Sequence, residues 1–167
     1  MDMLAVFYEG TLNPVVRKTQ VPALERNDVL LRVLRAGICG TDLSIVAGKH
    51  PRATPPLILG HEIAALVEDP NGNEGVRKGD LVTVVPTLSC GHCVACRRGY
   101  YHVCQNLGLY GIDAPGGFAE YMAVRADRIV PGGSEMTPDA LVLAEPLAVA
   151  VHAVRMSGLR YGDSVCV

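Results

Sequence analysis

Apolar residues in the N-terminal two thirds of the chain fall into short runs that are separated by Gly, Pro, Asn and Asp. Such runs predict short strands joined by tight turns, as in a β-barrel. Alternation of side chains with a period of two adds one further strand after the cysteine-rich segment. The predicted strands are residues 4–8, 28–38, 62–68, 80–85, 116–124 and 128–130.

Helical patterns are fewer. Residues 41–48 predict a short helix capped by Thr41 or Asp42 and ending at Gly48. From Pro138 the chain is rich in Ala, Leu and Val, and Pro146 is expected to break or kink this stretch into two helices. The chain is therefore predicted to be mainly β with short helices, followed by an apolar strand at 163–167.

Composition excludes several classes of protein. A chain of 167 residues holds one domain with a core and, beyond it, only a fragment of a second. The net charge of -2 gives no reason to expect nucleic acid as a partner. The N-terminus has neither a basic region nor a long apolar run, so no signal peptide or membrane span is predicted there and a cytoplasmic location is expected.

Four cysteines lie close together in the segment CGHCVACRRGYYHVC, at Cys90, Cys93, Cys96 and Cys104. Thiols in a reducing compartment stay reduced, so this spacing favours a metal site over disulfides. Two-residue gaps let the backbone turn and present successive sulfurs to one tetrahedral zinc. A closed four-sulfur site has no open position and is therefore structural, and an iron–sulfur cluster is the competing interpretation.

A second set of candidate ligands lies outside that segment. Cys39 lies between glycines, His61 and Glu62 precede a strand, and Glu145 interrupts an apolar helical stretch. A carboxylate in such a stretch needs a partner or a metal, and one Cys, one His and one or two carboxylates suit a catalytic zinc. Each residue alone also has a structural explanation, and Cys166 is predicted to be a small buried hydrophobe.

Five ordered motifs resemble the zinc-dependent medium-chain alcohol dehydrogenases, and more narrowly their polyol and threonine dehydrogenase branch. They are GICGTD at 37–42, LGHE at 59–62, the four-cysteine segment at 90–104, GGFAEY at 116–121 and EPLAVAVHAV at 145–154. The resemblance implies a GroES-like β-barrel catalytic domain. It also implies a catalytic zinc held by Cys39, His61 and Glu62 or Glu145, and a structural zinc held by the four cysteines.

Two positions depart from the better-known members of the family. Glu145 stands where they have a cysteine ligand, which agrees with the polyol branch. Ser44 stands where a histidine often ends a proton relay. The resemblance implies that Thr41 receives the proton of the substrate hydroxyl, and His50 is a possible substitute for the missing histidine.

In this family the catalytic domain leads into a Rossmann domain that binds NAD or NADP through a glycine-rich turn. The sequence contains no G-x-G-x-x-G motif and no P-loop. We therefore expect a catalytic domain at residues 1–157 and the start of a truncated Rossmann domain at 158–167, with the fragment alone inactive. The full-length enzyme is expected to be a homo-oligomer that oxidises a secondary alcohol to a ketone, without nucleic acid or membrane partners.

Two other functions compete with this one. In a zinc-stabilised binding module the cysteine segment would contact a partner, but Cys39, His61, Glu62 and Glu145 would have no purpose. In a zinc-free quinone reductase of similar fold the complete ligand set would be unexplained. The substrate stays open among threonine, a polyol, butanediol and a sugar acid, as does the choice between NAD and NADP.

Overall fold

The computed structural model describes residues 1–10 and 12–166, and within them it has ten strands and four α-helices. The strands are β1 Asp2–Tyr8, β2 Val15–Gln20, β3 Asp28–Gly37, β4 Leu57–Ile58, β5 Glu62–Asp69, β6 Leu81–Val84, β7 Thr87–Leu88, β8 Gly108–Leu109, β9 Tyr121–Arg125 and β10 Ile129–Pro131. The helices are α1 Gly40–Val46, α2 Val94–Arg97, α3 Pro138–Leu141 and α4 Ala144–Ser157. Short 3₁₀ helices cover Tyr101–Val103 and Ala126–Arg128.

The strands form a curled, antiparallel barrel-like body. Its largest sheet has the order β10-β6-β5-β3-β9, a second has the order β2-β1-β4, and β7 pairs with β8. The segment before β9 joins the two larger sheets, because Phe118 accepts a hydrogen bond from Val6 N and Glu120 accepts one from Val33 N through their carbonyl groups. The predicted mainly β, barrel-like architecture with short helices is thereby confirmed.

The core lies on the inner face of the largest sheet. Alternate residues of β3, β5, β6 and β9 point inward, and the outer face is also buried at Ala64 of β5 and Thr83 of β6. The fully buried side chains there include Leu31, Ile63, Val67, Val82 and Val124, each at most 1% exposed. This sheet is the rigid support from which the ends of β3 and β5 present the candidate ligands.

Most predicted strands are found, with shifts at their ends. The stretch 116–124 becomes a strand only at Tyr121, since Gly116 and Gly117 instead bond to the backbone of residues 58–60. β2 was not predicted, because none of its residues is buried and an edge strand carries no apolar alternation. The strands β4, β7 and β8 were not predicted, because each is only two residues long.

The helix predictions need two corrections. The N-cap of α1 is Cys39, not Thr41 or Asp42, and the Asp42 carboxylate accepts the Cys39 backbone N–H from within the first turn. The C-terminal helical stretch does divide, but at residues 142–143, and Pro146 lies in the first turn of α4 where it costs no intrahelical bond. Gly158 ends α4 in the left-handed conformation.

The predicted strand at 163–167 is wrong for Asp163–Cys166, which belong to no strand in the structure. An apolar run becomes a strand only where a partner strand accepts its backbone hydrogen bonds, and the described residues offer it none. Cys166 is exposed, so its predicted burial is also wrong here. Val167, the last residue of the predicted strand, lies outside the described residues.

One helical segment of the described chain, Pro138–Ser157, is long and apolar enough to cross a membrane by length and composition alone, with a mean hydropathy of 1.4. Apolar side chains around α4 are largely exposed, including Leu147, Val154 and Met156. Helices that are apolar on all sides also occur in the cores of large soluble proteins. The surface of α4 is therefore an apolar face without a covering element in the described structure.

Candidate metal centres

Cys39 is held where β3 ends and α1 begins. Its backbone is extended, and the chain turns into the helix immediately after it, so its thiol stands at the helix N-terminus. The Sγ atom lies 3.6 Å from Thr41 Oγ1. The predicted zinc ligand Cys39 and the predicted proton acceptor Thr41 are therefore neighbours.

His61 and Glu62 are placed by a turn that only glycine allows. Gly60 has φ of +93°, and a Cβ atom there would lie 2.3 Å from the Phe118 ring. The chain then enters β5, where Glu62 is paired with Gly37 at the end of β3. This register brings Glu62 next to the strand that leads into Cys39.

The three predicted ligands converge. One ligand atom from each of Cys39, His61 and Glu62 lies within 4.8 Å of the other two. His61 is 6% exposed, and its Nδ1 is buried without a hydrogen-bond partner among the described residues. A thiolate, an imidazole and a carboxylate around one point form a donor set that zinc accepts while keeping an open position.

Asp42 completes this arrangement, although the sequence pattern indicated it only as a possible helix cap. Its side chain is 2% exposed. Its Oδ2 accepts the N–H of Cys39 at 2.9 Å, and its Oδ1 accepts the N–H of Gly60 at 3.3 Å. One buried carboxylate thus ties together the two segments that carry the Cys and the His.

Glu145 lies at the edge of the site and is not among the three converging ligands. Burial raises its pKa, the charge of His61 opposes that rise, and Glu62 adds to it. Glu145, near the start of α4, therefore lies within electrostatic range of both residues. It also lines a cleft of about 730 Å³ between α4 and the β6–β7 region, together with His102, His152 and Thr83.

The four cysteines of the second cluster are reduced and close together. Cys90 Sγ lies 4.0 Å from Cys96 Sγ, and Cys93 Sγ lies 3.9 Å from Cys104 Sγ. Sulfurs bound tetrahedrally to zinc at about 2.3 Å are about 3.8 Å apart. The spacing is much too long for disulfides and fits one zinc ion.

Three of these thiols have pKa values shifted from the ordinary value. Hydrogen bonds from the backbone N–H groups of His92 and Cys93 lower the pKa of Cys90 to about 6. Backbone hydrogen bonds from Cys96 and Gln105 lower the pKa of Cys93 as well. Burial, followed by the neighbouring Cys93 thiol, raises the pKa of Cys96 to about 12. The Cys96 thiol therefore stays protonated at neutral pH unless a cation binds, and zinc binding requires its deprotonation.

His50 is engaged in a turn. Its Nδ1 accepts the backbone N–H groups of Arg52 at 3.4 Å and Ala53 at 3.3 Å. These bonds give His50 a structural role in the loop after α1. Its part in a proton relay stays a prediction, as does the consequence of Ser44 at the position of the relay histidine.

Sequence comparison places the chain in a family. Residues 25–139 match the model of the alcohol dehydrogenase GroES-like domain. The chain therefore belongs to the zinc-dependent medium-chain alcohol dehydrogenase family, as the motifs predicted.

Individual relatives agree with this placement. The chain is similar to L-threonine 3-dehydrogenase of Pyrococcus horikoshii, with 43% identity over 90% of this chain and 44% of the relative. It is 33% identical to L-galactonate-5-dehydrogenase of Escherichia coli, over 92% of this chain and 45% of that protein. The chain thus spans a little under half the length of these curated relatives.

A solved structure extends the likeness to three dimensions. A protein described as a zinc-binding dehydrogenase from Sinorhizobium meliloti 1021, bound to NADP, superposes with a TM-score of 0.90 at 36% identity. The match covers 98% of this chain and 48% of that one. The fold of the whole barrel described above is therefore shared with that dehydrogenase.

Proposed function

We propose that this chain is the catalytic half of a zinc- and NAD(P)-dependent oxidoreductase that converts a secondary alcohol to a ketone. The observation that carries the proposal is the convergence of Cys39, His61 and Glu62 within 4.8 Å. Three donors of three chemical types meet there, from the segments at the end of β3 and the start of β5. They suit a zinc site with an exchangeable position.

Zinc bound by these residues would supply a Lewis acid that lowers the pKa of a coordinated hydroxyl group. Residues of the protein would position the ligands and accept the proton. Asp42 holds the Cys39 and Gly60 backbones, so that the thiol and the imidazole face the same point. Thr41 is placed to accept the hydroxyl proton of the substrate, since its Oγ1 lies beside Cys39 Sγ.

We propose that Glu145 acts at the edge of this site, either as a further ligand or through a water molecule. Its carboxylate is within electrostatic reach of His61 and Glu62, and it faces the 730 Å³ cleft. That cleft has apolar walls from Val84, Val85 and Val149. We infer that it receives the carbon skeleton of a small alcohol.

The substrate class is inferred from the relatives. L-Threonine and L-galactonate, the substrates named for two of them, both carry a secondary hydroxyl group and a carboxylate. We propose a hydroxylated small molecule of this kind, and NADP or NAD as the hydride acceptor, since the similar Sinorhizobium protein binds NADP. A homo-oligomer and a cytoplasmic location are proposed as what the family resemblance implies.

Domain organisation is part of the proposal. Residues 1–157 form the catalytic domain, and 158–167 lead into a cofactor-binding domain. The relatives are about twice as long as this chain, which supports that inference. The exposed apolar surface of α4 is suited to pack against the second domain, because an uncovered face of this kind marks an interaction site.

The alternative function, a zinc-stabilised binding module, has one observation in its favour. Tyr100, Tyr101 and Val103 in the cysteine segment are each about half exposed or more. Such a module would retain its partner when the Cys39 site is removed. The same variant of the oxidoreductase would lose all turnover, so one substitution separates the two functions.

The decisive experiment compares Cys39→Ser with Cys166→Ser, a matched change at an exposed cysteine. Zinc is counted in the purified chain and located by anomalous scattering. The wild type and Cys166→Ser should hold two zinc ions, and Cys39→Ser only the one among Cys90, Cys93, Cys96 and Cys104. In the enzyme that includes the cofactor domain, Cys39→Ser should abolish turnover without unfolding the protein, and retained turnover would refute the assignment.

The chain alone, without a cofactor domain, is expected to be inactive. Purified chain should neither bind NAD or NADP measurably nor oxidise alcohols, because it contains no glycine-rich phosphate-binding turn. The readout is the absorbance of reduced nicotinamide in the presence of alcohol. A steady increase with the purified chain would contradict this part of the proposal.

A further inference from the structure

Gly37, the last residue of β3, lies directly opposite Glu62, the first residue of β5. A Cβ atom at Gly37 would lie 2.0 Å from Glu62 Oε2, 3.0 Å from Glu62 Cβ and 3.1 Å from Glu62 Cδ. The Glu62 side chain thus lies across the face of Gly37. It occupies the space that any other residue at this position would fill.

The close approach does not depend on an unusual backbone conformation at Gly37. Gly37 is not among the glycines with positive φ, so an alanine can adopt its backbone angles. The atom that a new Cβ would meet first is the end of a flexible carboxylate side chain. The carboxylate can yield by changing rotamer, and the Glu62 Cβ, 3.0 Å away, needs a shift of only a few tenths of an ångström, so the fold would survive while the carboxylate moved.

Two other glycines near the site do not face the side chain of a candidate ligand. A Cβ at Gly116 would lie 2.2 Å from the carbonyl oxygen of Gly60, where backbone would have to shift. Gly40, the first residue of α1 and next to Cys39, has no atom within 4 Å of its Cβ position. Gly37 alone of these three faces a candidate ligand.

We propose that Gly37 is a positioning residue for the open metal site. The absence of a side chain at residue 37 selects the rotamer of Glu62 that brings its carboxylate within 4.8 Å of the Cys39 and His61 ligand atoms. The inference rests on the proposed function, because it takes Glu62 as a ligand. It adds that the position of the Glu62 carboxylate is set by the neighbouring strand, β3.

The test is a zinc titration of the metal-depleted chain against a chromophoric chelator, with Gly37→Ala compared to Gly40→Ala. Wild type and Gly40→Ala should show a four-cysteine site and an open site of unchanged affinity. Gly37→Ala should weaken only the open site, by about 10- to 100-fold, the loss typical when a ligand is misplaced by its surroundings. The absorption spectrum of cobalt in the open site should change in Gly37→Ala and not in Gly40→Ala.

A second pair of variants tests whether Gly37 acts through Glu62. Adding Gly37→Ala to Glu62→Gly should weaken neither the affinity of the open site nor the stability of the fold, because the whole obstructing side chain, including the Cβ atom 3.0 Å away, is gone. A further loss of affinity or stability in the double variant would overturn the inference. So would equal zinc affinities in Gly37→Ala and Gly40→Ala.

If the proposed function is wrong, the zinc titration gives a different result from the one expected if only the role of Gly37 is wrong. If the wild-type chain binds zinc at the four cysteines only, the open site itself is absent and the proposed function fails. If the wild type binds two zinc ions and Gly37→Ala does the same with the same affinities, only the role of Gly37 fails.

Discussion

Asp42 Oδ1 lies 3.7 Å from His61 Nδ1, and both side chains are almost completely buried. The distance is longer than a hydrogen bond, and His61 Nδ1 has no other partner among the described residues. Because Asp42 also accepts the N–H groups of Cys39 and Gly60, it fixes the backbone on both sides of the site. A carboxylate beside one ring nitrogen favours metal binding through the other.

Asp42→Asn should therefore weaken both the fold and the metal site. The variant keeps the shape of the side chain but turns an amide donor toward one of two backbone N–H groups. The expected loss in the free energy of unfolding is about 2 to 3 kcal/mol, as for buried hydrogen bonds to a charged group. Chemical denaturation of the zinc-loaded chain measures it.

The matched control is Asp139→Asn, whose carboxylate is exposed on α3. Its stability should change by less than about 1 kcal/mol, the usual range for an exposed ion pair. Equal losses in the two variants would show that burial of Asp42 has no special role.

Cys96→Ser should remove the zinc of the four-cysteine segment and disorder that segment, since structural zinc supplies its folding energy. Residues 90–104 contain only a four-residue helix and one 3₁₀ turn, and their buried side chains are mainly the cysteines. Hydrogen exchange should show loss of protection at 90–104 and none at β3 or β5. Cys39→Ser provides the comparison, because it should remove the other zinc and leave 90–104 protected.

Asp127 gives a pH-dependent prediction at the base of the cysteine segment. Arg125 donates to Asp127 and to the carbonyl oxygen of Ser89, which precedes Cys90. Burial raises the Asp127 pKa, but the hydrogen bond and charge of Arg128, followed by those of Arg125, outweigh it and hold the pKa below its ordinary value. The folded state therefore favours the ionised carboxylate.

Asp127→Asn should lower the free energy of unfolding at pH 7 by less than about 1 kcal/mol, since the side chain is 48% exposed and water screens the pair. The contribution is fully present above the unfolded pKa of about 3.9 and is lost as pH falls through the lower folded pKa. Unfolding of both proteins at pH 7, 5 and 3 checks it. A difference as large at the lowest pH as at pH 7 would argue against an ionic contribution.

Thr41→Val tests the proton path in the enzyme with its cofactor domain. Valine keeps the shape of threonine and removes the hydroxyl group, so zinc content should stay the same. We expect kcat to fall about 100-fold, the lower end of what a positioned proton acceptor contributes. Thr41→Ser should retain most of the activity, and equal kcat values for all three proteins would exclude a role for the hydroxyl.

Much of the fold follows from local patterns. Buried strands such as β3 and β5 alternate between a core face and an outer face, and the packing against one sheet imposes this alternation on the sequence. β2 has no buried face and left no such pattern. Residues 163–166 have the composition of a strand but no partner to pair with, so composition alone gave a wrong prediction there.

By itself, the sequence determined the types of the candidate ligands and, through its ordered motifs, the family and the barrel. The spacing of four cysteines in 15 residues also determined that they can meet, because two-residue gaps let the backbone turn and present successive sulfurs to one point. Cys39 and His61 are 22 residues apart, and no local rule brings them together. The pairing of β3 with β5 decided that they meet, placed Glu62 over Gly37, and made Asp42 a buried link between both segments, because hydrogen bonds across a sheet fix neighbours that are distant along the chain.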